Sequence, residues 1–557
     1  MQLTGAEILI RLLERQGVRI IAGIPGGALL PVYEALAESE RLKHILARHE
    51  QAAGFIAQGI ARITGRAGVC FATSGPGVTN IVTALADAKL DSVPLVCIAG
   101  QVPTHLIGTD AFQEVATIEM VRPITKACFF VRSAQELAQI VPRAFAIAEG
   151  GRPGPVLIDI PKDVQLQRCV FEANAREHAY DTAPVADERF LTRDFEAAAA
   201  LINASRRPIL YVGGGVVKAR AQQLVRDFVQ RTRIPTTATL MALGTLPANH
   251  SLNLGMLSMH AARFTNMAIH ECDLLIACGA RFDDRATGDP KKFAPHAKVI
   301  HIDIDAREFG KIRQPMVRIR ADAGSALHAL MHRVELIDRS DWLQRIEHLR
   351  NHHPLHTPNL DAVCSPYGIV KAIADTAPDD CIVTTDVGQH QMWVAQAFPF
   401  QRSDRWLTSG GLGTMGFGLP AAIGAALACP DATTICFTGD GSLLMNIQEL
   451  ATLAELNLDV KIIVLDNAAL GLVRQQQELF YRQRFTASHF LQPTHFAHVA
   501  QAFGIVGVDL AHVSDPGATL KHVFRERGPA LIRVPINCEH HVLPMVAPGK
   551  SNLEAVG

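Results

Sequence analysis

The sequence has no excess of charge of either sign: 53 Lys and Arg stand against 54 Asp and Glu, a formal net charge of −1. Without a basic surplus to neutralise phosphates, a non-specific nucleic-acid binder is excluded. There is no run of roughly eighteen apolar residues, which excludes a conventional membrane-spanning helix. The first residues, Met1 to Glu7, lack the basic region and apolar stretch of a signal peptide, and they are not the Arg- and Ser-rich, acid-poor kind of a transit peptide. CxxC pairs are missing too. The 11 cysteines are scattered without a framework, as expected of reduced, buried thiols in a cytosolic protein. Low-complexity segments are also absent. The expected location is the cytoplasm, with neither a membrane nor a nucleic acid as partner.

What is present is a chain of 557 residues, 48% hydrophobic and 19% charged, ordinary for a packed globular protein but too long for one core. At roughly 150 residues per domain it divides into three or four units. Three segments alternate apolar β-type runs with longer amphipathic stretches, the pattern of α/β units around parallel sheets. The first, 1–165, has strand-like runs at Gly68–Thr73 and Pro94–Ala99. The second, 187–335, has them at Pro208–Val212, Asp273–Cys278 and Lys298–Ile304. The third, 367–557, has them at Cys381–Thr385, Thr434–Thr438, Val460–Leu465 and Ala530–Pro535. Leu166–Ala186 and Leu336–Pro366 are weakly patterned and read as linkers across the surface. The first and third segments share a faint internal similarity, since each runs strand, glycine turn, helix, parallel strand. Ligands on open α/β sheets bind beyond the carboxyl ends of strands, where those turns sit.

The most informative stretch is Gly439-Asp440-Gly441, then 24 residues, then Asp466-Asn467. The glycines admit a diphosphate close to the backbone, and the following helix turns its N-terminus to the negative charge. Asp440 and the side-chain carbonyl of Asn467 are hard oxygen ligands suited to Mg²⁺. A lone GDG is most often a plain turn, whereas the full spacing at the ends of two apolar strands resembles the diphosphate-binding motif of thiamine-diphosphate enzymes. Asp466 stands where that motif usually has a first Asn. The resemblance also implies a backbone carbonyl ligand at Ala469. Glu50, at the start of an apolar helix, reads on pattern alone as a surface residue. Its context, Arg48-His49-Glu50 about twenty residues before Ser74-Gly-Pro-Gly, matches the superfamily's cofactor-activating glutamate. In an apolar pocket such a carboxyl has a raised pKa and holds a proton against the aminopyrimidine ring.

The resemblance then extends over essentially the whole chain and narrows to acetohydroxyacid synthase large subunits, nearest the isozyme I-like branch. It is carried by Gly23–Ala28, Thr73–Asn80, Gly108–Glu114, Arg122–Lys126, Gly154–Val164, Gly279–Gly288, Asp386–Met392, Leu470–Gln475 and Pro544–Gly549. It implies three doubly wound α/β domains: a pyrimidine-binding domain, a central Rossmann-like FAD domain and a diphosphate-binding domain. It implies a transferase that decarboxylates pyruvate and condenses the remainder with pyruvate or 2-oxobutyrate, in isoleucine and valine biosynthesis. Glu50 becomes the activator, Phe112 and Gln113 border the reacting carbon, Gly26 is a further catalytic position, and Arg281 holds the second substrate's carboxylate through its planar fork. Two readings stand for Lys162, an active-site entrance lysine or a solvated loop lysine.

Thiamine diphosphate is expected against Pro25, Glu50, Asn80, Gln113, Val387, Gly388, Gln389, His390, Gly413, Met415, Asp440, Gly441, Ser442, Asn467, Leu470, Gly471 and Leu472, with Mg²⁺ on Asp440, Asn467 and Ala469. FAD is expected against Gly213, Gly214, Gly215, Thr237, Met256, His260, Gly279, Arg281, Asp283, Arg285, Asp303, Asp305 and Asp322. Because acetolactate formation needs no net redox step, FAD is expected as a structural ligand. The family's active site is shared between two chains, which implies a homodimer. No segment is left over for small-molecule regulation, which implies a separate small regulatory subunit.

Departures and decoys refine this. Gln476 replaces the family's usual tryptophan and forfeits its apolar contact with the extra methyl of 2-oxobutyrate, so little preference for that substrate is expected. Leu472 and Ser258 are milder changes. Gly411 to Gly416 spells GxGxxG, but Asp431 precedes the next strand where a ribose-binding acid follows its strand. Cys538, His540 and His541 lack a second ligand pair for zinc. Ser74 lacks the glycine two residues earlier that a nucleophile elbow needs. Within the enzyme class the rivals are other carboligases, a decarboxylase or a pyruvate oxidase. Glyoxylate carboligase is disfavoured by Glu50. From another class, a non-catalytic FAD-binding scaffold is opposed by intact Glu50, Asp440 and Asn467.

Overall fold

A computed structural model describes residues 2–171 and 188–557. Three six-stranded sheets, each wholly parallel, carry the chain. The first orders its strands Lys43–Leu46, Ile20–Gly23, Gly68–Ala72, Leu95–Gln101, Pro155–Pro161 and Ala127–Phe130. The third runs Trp406–Leu407, Ile382–Thr385, Thr434–Gly439, Val460–Asp466, Ala530–Pro535 and Val506–Asp509. Both have chain order 2-1-3-4-6-5, so the internal similarity of the two segments extends to their topology. The middle sheet runs Asn253–Met256, Thr236–Ala238, Pro208–Val212, Leu274–Cys278, Lys298–Asp303 and Val317–Arg320. That is the 3-2-1-4-5-6 order of a dinucleotide-binding sheet. The central strands are buried on both faces, which is why they read as unbroken apolar runs.

The first and third sheets are brought together by two helices, Glu50–Thr64 and Gly418–Ala428. Gly59 and Gly424 let their backbones touch: a Cβ on Gly424 would lie 2.0 Å from the carbonyl oxygen of Ile56, and one on Gly59 would lie 2.3 Å from that of Ala421. Polar bonds reinforce the seam. Arg62 pairs with Asp91 at 2.8 Å, and Asp91 accepts from the backbone N–H groups of Gly410 and Gly411 at 3.1 and 2.7 Å. Asp87 accepts from the Thr414 hydroxyl at 2.9 Å and from the Ser409 hydroxyl.

The stretch expected as a second linker is only partly one. Ser340–His352 is a helix that buries Trp342, Ile346 and Leu349 against the middle sheet's core. The Trp342 indole donates to the Pro208 carbonyl at 3.1 Å. These apolar residues recur at helical spacing, so burying them outweighs the polar surroundings that suggested a surface crossing. Most of the other expected linker, residues 172–186, lies outside the described residues, as does Asp187. All 11 cysteines are free, and Cys70 and Cys97 face each other across adjacent strands. Among the described residues no helix is long and apolar enough to cross a membrane.

Candidate active site

At the carboxyl end of the third sheet lies a cavity of about 160 Å³ lined only by residues between Val387 and Val473. All the cofactor residues expected from this domain line it: Val387, Gly388, Gln389, His390, Gly413, Met415, Asp440, Gly441, Ser442, Asn467, Leu470, Gly471 and Leu472, together with Ala469. Strand Thr434–Gly439 delivers Asp440, and the next strand, Val460–Asp466, delivers Asn467. The Ala469 N–H donates both to Asp440 Oδ2 at 3.1 Å and to Asn467 Oδ1 at 3.2 Å, so the two side-chain oxygens converge. Burial and the neighbouring Asp466 push the Asp440 carboxyl up to about 7. A buried carboxylate beside a second acid and a convergent amide oxygen is a donor set that fits a hard divalent cation. His390 sits at the same cavity with its buried Nε2 unpartnered, and burial lowers its pKa to about 3, leaving a neutral ring. A Cβ at Gly441 would lie 2.7 Å from the end of the Leu470 side chain, which would have to move. Glycine, open donors and the acid cluster together fit a diphosphate held through a metal.

The GxGxxG loop belongs to this cavity through Gly413 and Met415. Its Gly416 N–H donates to Asp386 at 2.7 Å, while Asp431 is exposed on the far side of the next strand's start.

A second cluster gathers in the first domain around the turn Thr73–Gly77. Glu50, 8% exposed, is the first residue of its helix, whose positive end favours a carboxylate. Asn80 donates to Glu50 Oε2 at 2.9 Å, and Oε1 lies 3.5 Å from the position a Cβ on Gly77 would take. Gly26 packs on Thr73, where a Cβ would be 2.5 Å away, with Pro25 exposed beside it. Gln113 has φ 62° and lies against Gly75. Phe112 is 88% exposed. Glu114, given no role from the sequence, staples this loop by accepting from the N–H groups of Gly108, Thr109 and Ala111. Those backbone bonds hold its carboxyl below the ordinary range. Its presence within Gly108–Glu114 was the only signal. Lys162 opens the short helix Lys162–Leu166, half-buried.

In the middle domain a cavity of about 310 Å³ opens beyond strands Pro208–Val212 and Leu274–Cys278. Of the residues expected on FAD, it is lined by Gly214, Gly215, Gly279, Arg281, Asp283, Asp303 and Asp322. Gly213 packs beneath them against the Gly279 carbonyl. Thr237 is buried with its hydroxyl on the Gly255 carbonyl at 2.9 Å. Met256 and His260 line a different cavity, shared with Phe398 and Phe400. Arg285 is exposed, and Asp305 is taken up by Arg307 and Arg152 at 2.8 and 3.2 Å. Arg281 thus sits with the dinucleotide-type cavity and not with the Asp440 cradle. Size, position at the strand ends and glycine walls fit a dinucleotide. Lys218 and Arg152 also line this cavity and were not anticipated. Burial and Arg62 lower Lys218 to about 7.

Comparison with known proteins gives concordant matches. Residues 3–120 match the family model "Thiamine pyrophosphate enzyme, N-terminal TPP binding domain". Residues 195–330 match the central domain of the same enzymes, and 386–534 the C-terminal TPP binding domain. The chain is 54% identical to the acetolactate synthase isozyme 1 large subunit of Escherichia coli (strain K12) over 554 residues, 100% of this chain and 98% of the relative. It is 46% identical to the isozyme 2 large subunit of that organism over 553 residues, covering 99% of each. Against acetolactate synthase 1, chloroplastic, of Nicotiana tabacum it is 42% identical over 561 residues, 98% of this chain and 83% of the other.

Proposed function

The chain belongs to the acetolactate synthase large subunits, a family of thiamine pyrophosphate enzymes, and on that premise we propose how its own residues carry out acetolactate formation. The observation that carries the proposal is the convergence of Asp440, Asn467 and Ala469 at one mouth of a parallel sheet, with a glycine-lined cavity beside them. Thiamine diphosphate, when bound, would supply an electron sink for the decarboxylation of a 2-oxo acid. Asp440, the Asn467 side-chain oxygen and the Ala469 carbonyl would hold Mg²⁺ for its diphosphate. Glu50 would hydrogen-bond the aminopyrimidine ring. Asn80 occupies its Oε2, which leaves Oε1 for that contact. Gln113 offers a neutral amide donor, and exposed Phe112 shields the reacting carbon from water. Arg281 lines the middle cavity and has no ion pair to a described residue, which leaves its guanidinium to an anionic group held there. FAD fills the middle cavity as a structural ligand.

The cradle is lined from the third domain alone, while Glu50 belongs to the first and Phe112 stands in solvent. Both facts favour a homodimer in which one chain's Glu50 faces the partner copy's cradle. As a large subunit the chain works with a small regulatory subunit, in the cytoplasm.

The test supplies pyruvate, thiamine diphosphate, Mg²⁺ and FAD and quantifies acetolactate after acid conversion to acetoin. Acetolactate is expected from the parent, with a loss of roughly 10²–10⁴-fold in Glu50→Gln, the range for one proton-transfer group. Acetaldehyde or flavin reduction without acetolactate would refute the assignment in favour of a decarboxylase or oxidase.

A further inference from the structure

Gln475 was not among the expected site residues, yet it is 0% exposed and makes four polar contacts. Its Nε2 donates to the Val542 carbonyl at 2.8 Å and approaches the Met545 sulfur at 3.2 Å. Its Oε1 accepts from the Val542 N–H at 2.9 Å and from Gln389 Nε2 at 2.9 Å. Gln389 Nε2 also donates to the His540 carbonyl at 2.8 Å, and Gln389 Oε1 accepts from Asn467 Nδ2 at 3.1 Å.

The direction of every amide in this chain is forced. A backbone carbonyl only accepts and a backbone N–H only donates. The Val542 pair therefore fixes which end of Gln475 is oxygen. That oxygen, with the His540 carbonyl, fixes Gln389 with its nitrogen toward them and its own oxygen toward Asn467. Asn467 must then present nitrogen to Gln389 and oxygen to the Ala469 N–H, on the side where Asp440 lies. Gly471 makes room for the last contact: a Cβ there would lie 2.1 Å from Gln389 Oε1 and 2.6 Å from Asn467 Nδ2.

We propose that Gln475 is a positioning residue for the divalent cation: through Gln389 it transmits the orientation of the 540–542 backbone to Asn467, so that the ligand oxygen rather than the amide nitrogen faces the metal. An Asn side chain is nearly symmetric in shape, and without this relay only the Ala469 N–H, shared between Asn467 Oδ1 at 3.2 Å and Asp440 at 3.1 Å, would favour the one face that binds a cation. The inference rests on the assignment of Asp440 and Asn467 as metal ligands.

The experiment titrates Mg²⁺ into the metal-stripped full-length chain at saturating thiamine diphosphate, by calorimetry, with thermal unfolding recorded in parallel. Gln475→Met is expected to weaken Mg²⁺ binding roughly 10–100-fold, as other residues that orient metal ligands do. Gln475→Glu, protonated at so buried a position, keeps both the acceptor for Gln389 and a donor for the Val542 carbonyl and should stay within about threefold of the parent. In a Gln389→Met background, Gln475→Met should cost no further affinity. Should Gln475→Met not fold, Gln475→Asn draws the amide back by about 1.5 Å and should show the same loss. Unchanged Mg²⁺ affinity with a lower melting temperature would overturn the proposal, as would equal losses in Gln475→Met and Gln475→Glu. Asn467→Ala separates the two levels: if it binds Mg²⁺ like the parent, the ligand assignment itself has failed.

Discussion

Asp159 lies inside the otherwise apolar strand Pro155–Pro161, with one carboxylate oxygen 3.3 Å from Gln101 Nε2 and the other buried without a partner. Burial pushes its pKa up to about 7. A carboxyl raised on folding favours the folded state most when protonated, below its unfolded value near 3.8, and stability is lost as pH rises through 7. Asp159→Asn should therefore match the parent near pH 4 and exceed it by roughly a few kcal/mol above pH 7. Denaturant melts at several pH values would show this, and a pH-independent difference would refute it. Gln476 is half-buried, one helical turn beyond the cradle residue Leu472 and on the same face. Gln476→Trp restores an apolar wall there. In a competition assay it should raise 2-oxobutyrate use relative to pyruvate by about tenfold or more, in keeping with the value of one buried methylene. An unchanged product ratio would remove Gln476 from the specificity site. The roles proposed for Asp440, Asn467 and Glu50 could be put forward from the sequence because their chemistry lies in their side chains. Those of Gln475 and Glu114 could not, because an amide or carboxylate that acts by holding another group looks like any surface polar residue until its partners are known.

The helix Glu50–Thr64 does two jobs. Its first residue is the proposed activator, and its second half packs against Gly418–Ala428 through Gly59 and Gly424. A methyl group at Gly424 has nowhere to go but against the Ile56 carbonyl. Gly424→Ala should cost roughly 1–3 kcal/mol, the usual range for overpacking, and should lower activity by moving Glu50. Thermal melts and the acetoin assay check both parts, and a neutral substitution would show that the seam yields. At this scale the sequence was a good guide wherever an element was buried on both faces. Strands Pro208–Val212 and Ala530–Pro535 match their apolar runs to the residue. The short edge strands, such as Asn253–Met256 and Trp406–Leu407, left no such run, since an edge needs only a few residues of pairing. Helix Ser340–His352 was hidden by its polar majority. Only its tryptophan, isoleucine and leucine record the face it buries.

At the scale of the whole molecule the proposed dimer makes a quantitative expectation. Glu50→Gln and Asp440→Ala chains are each inactive. Mixed and reassociated in equal amounts, they form about half hybrids, and each hybrid carries one intact site of two if the site is shared between copies. Activity should recover to about one quarter of the parent's. No recovery on proven subunit exchange would place both halves of the site in one chain.

The sequence by itself determined the α/β class, the three sheets, the glycine turn of Asp440 and the Asn467 position at the ends of neighbouring strands, and Glu50 at the start of a helix. Each of these rests on a local pattern: a buried apolar run, a glycine turn at a strand end, an acid at a helix start. Tertiary structure alone decided what depends on chain segments far apart. It set Arg281 in the middle cavity, gave Asp305 to Arg152 and not to that cavity, and brought the 540–542 backbone to Asn467 through two glutamines. Hydrogen bonds are short and directional, so which groups they join is fixed only once the backbone has been folded to within a few tenths of an ångström.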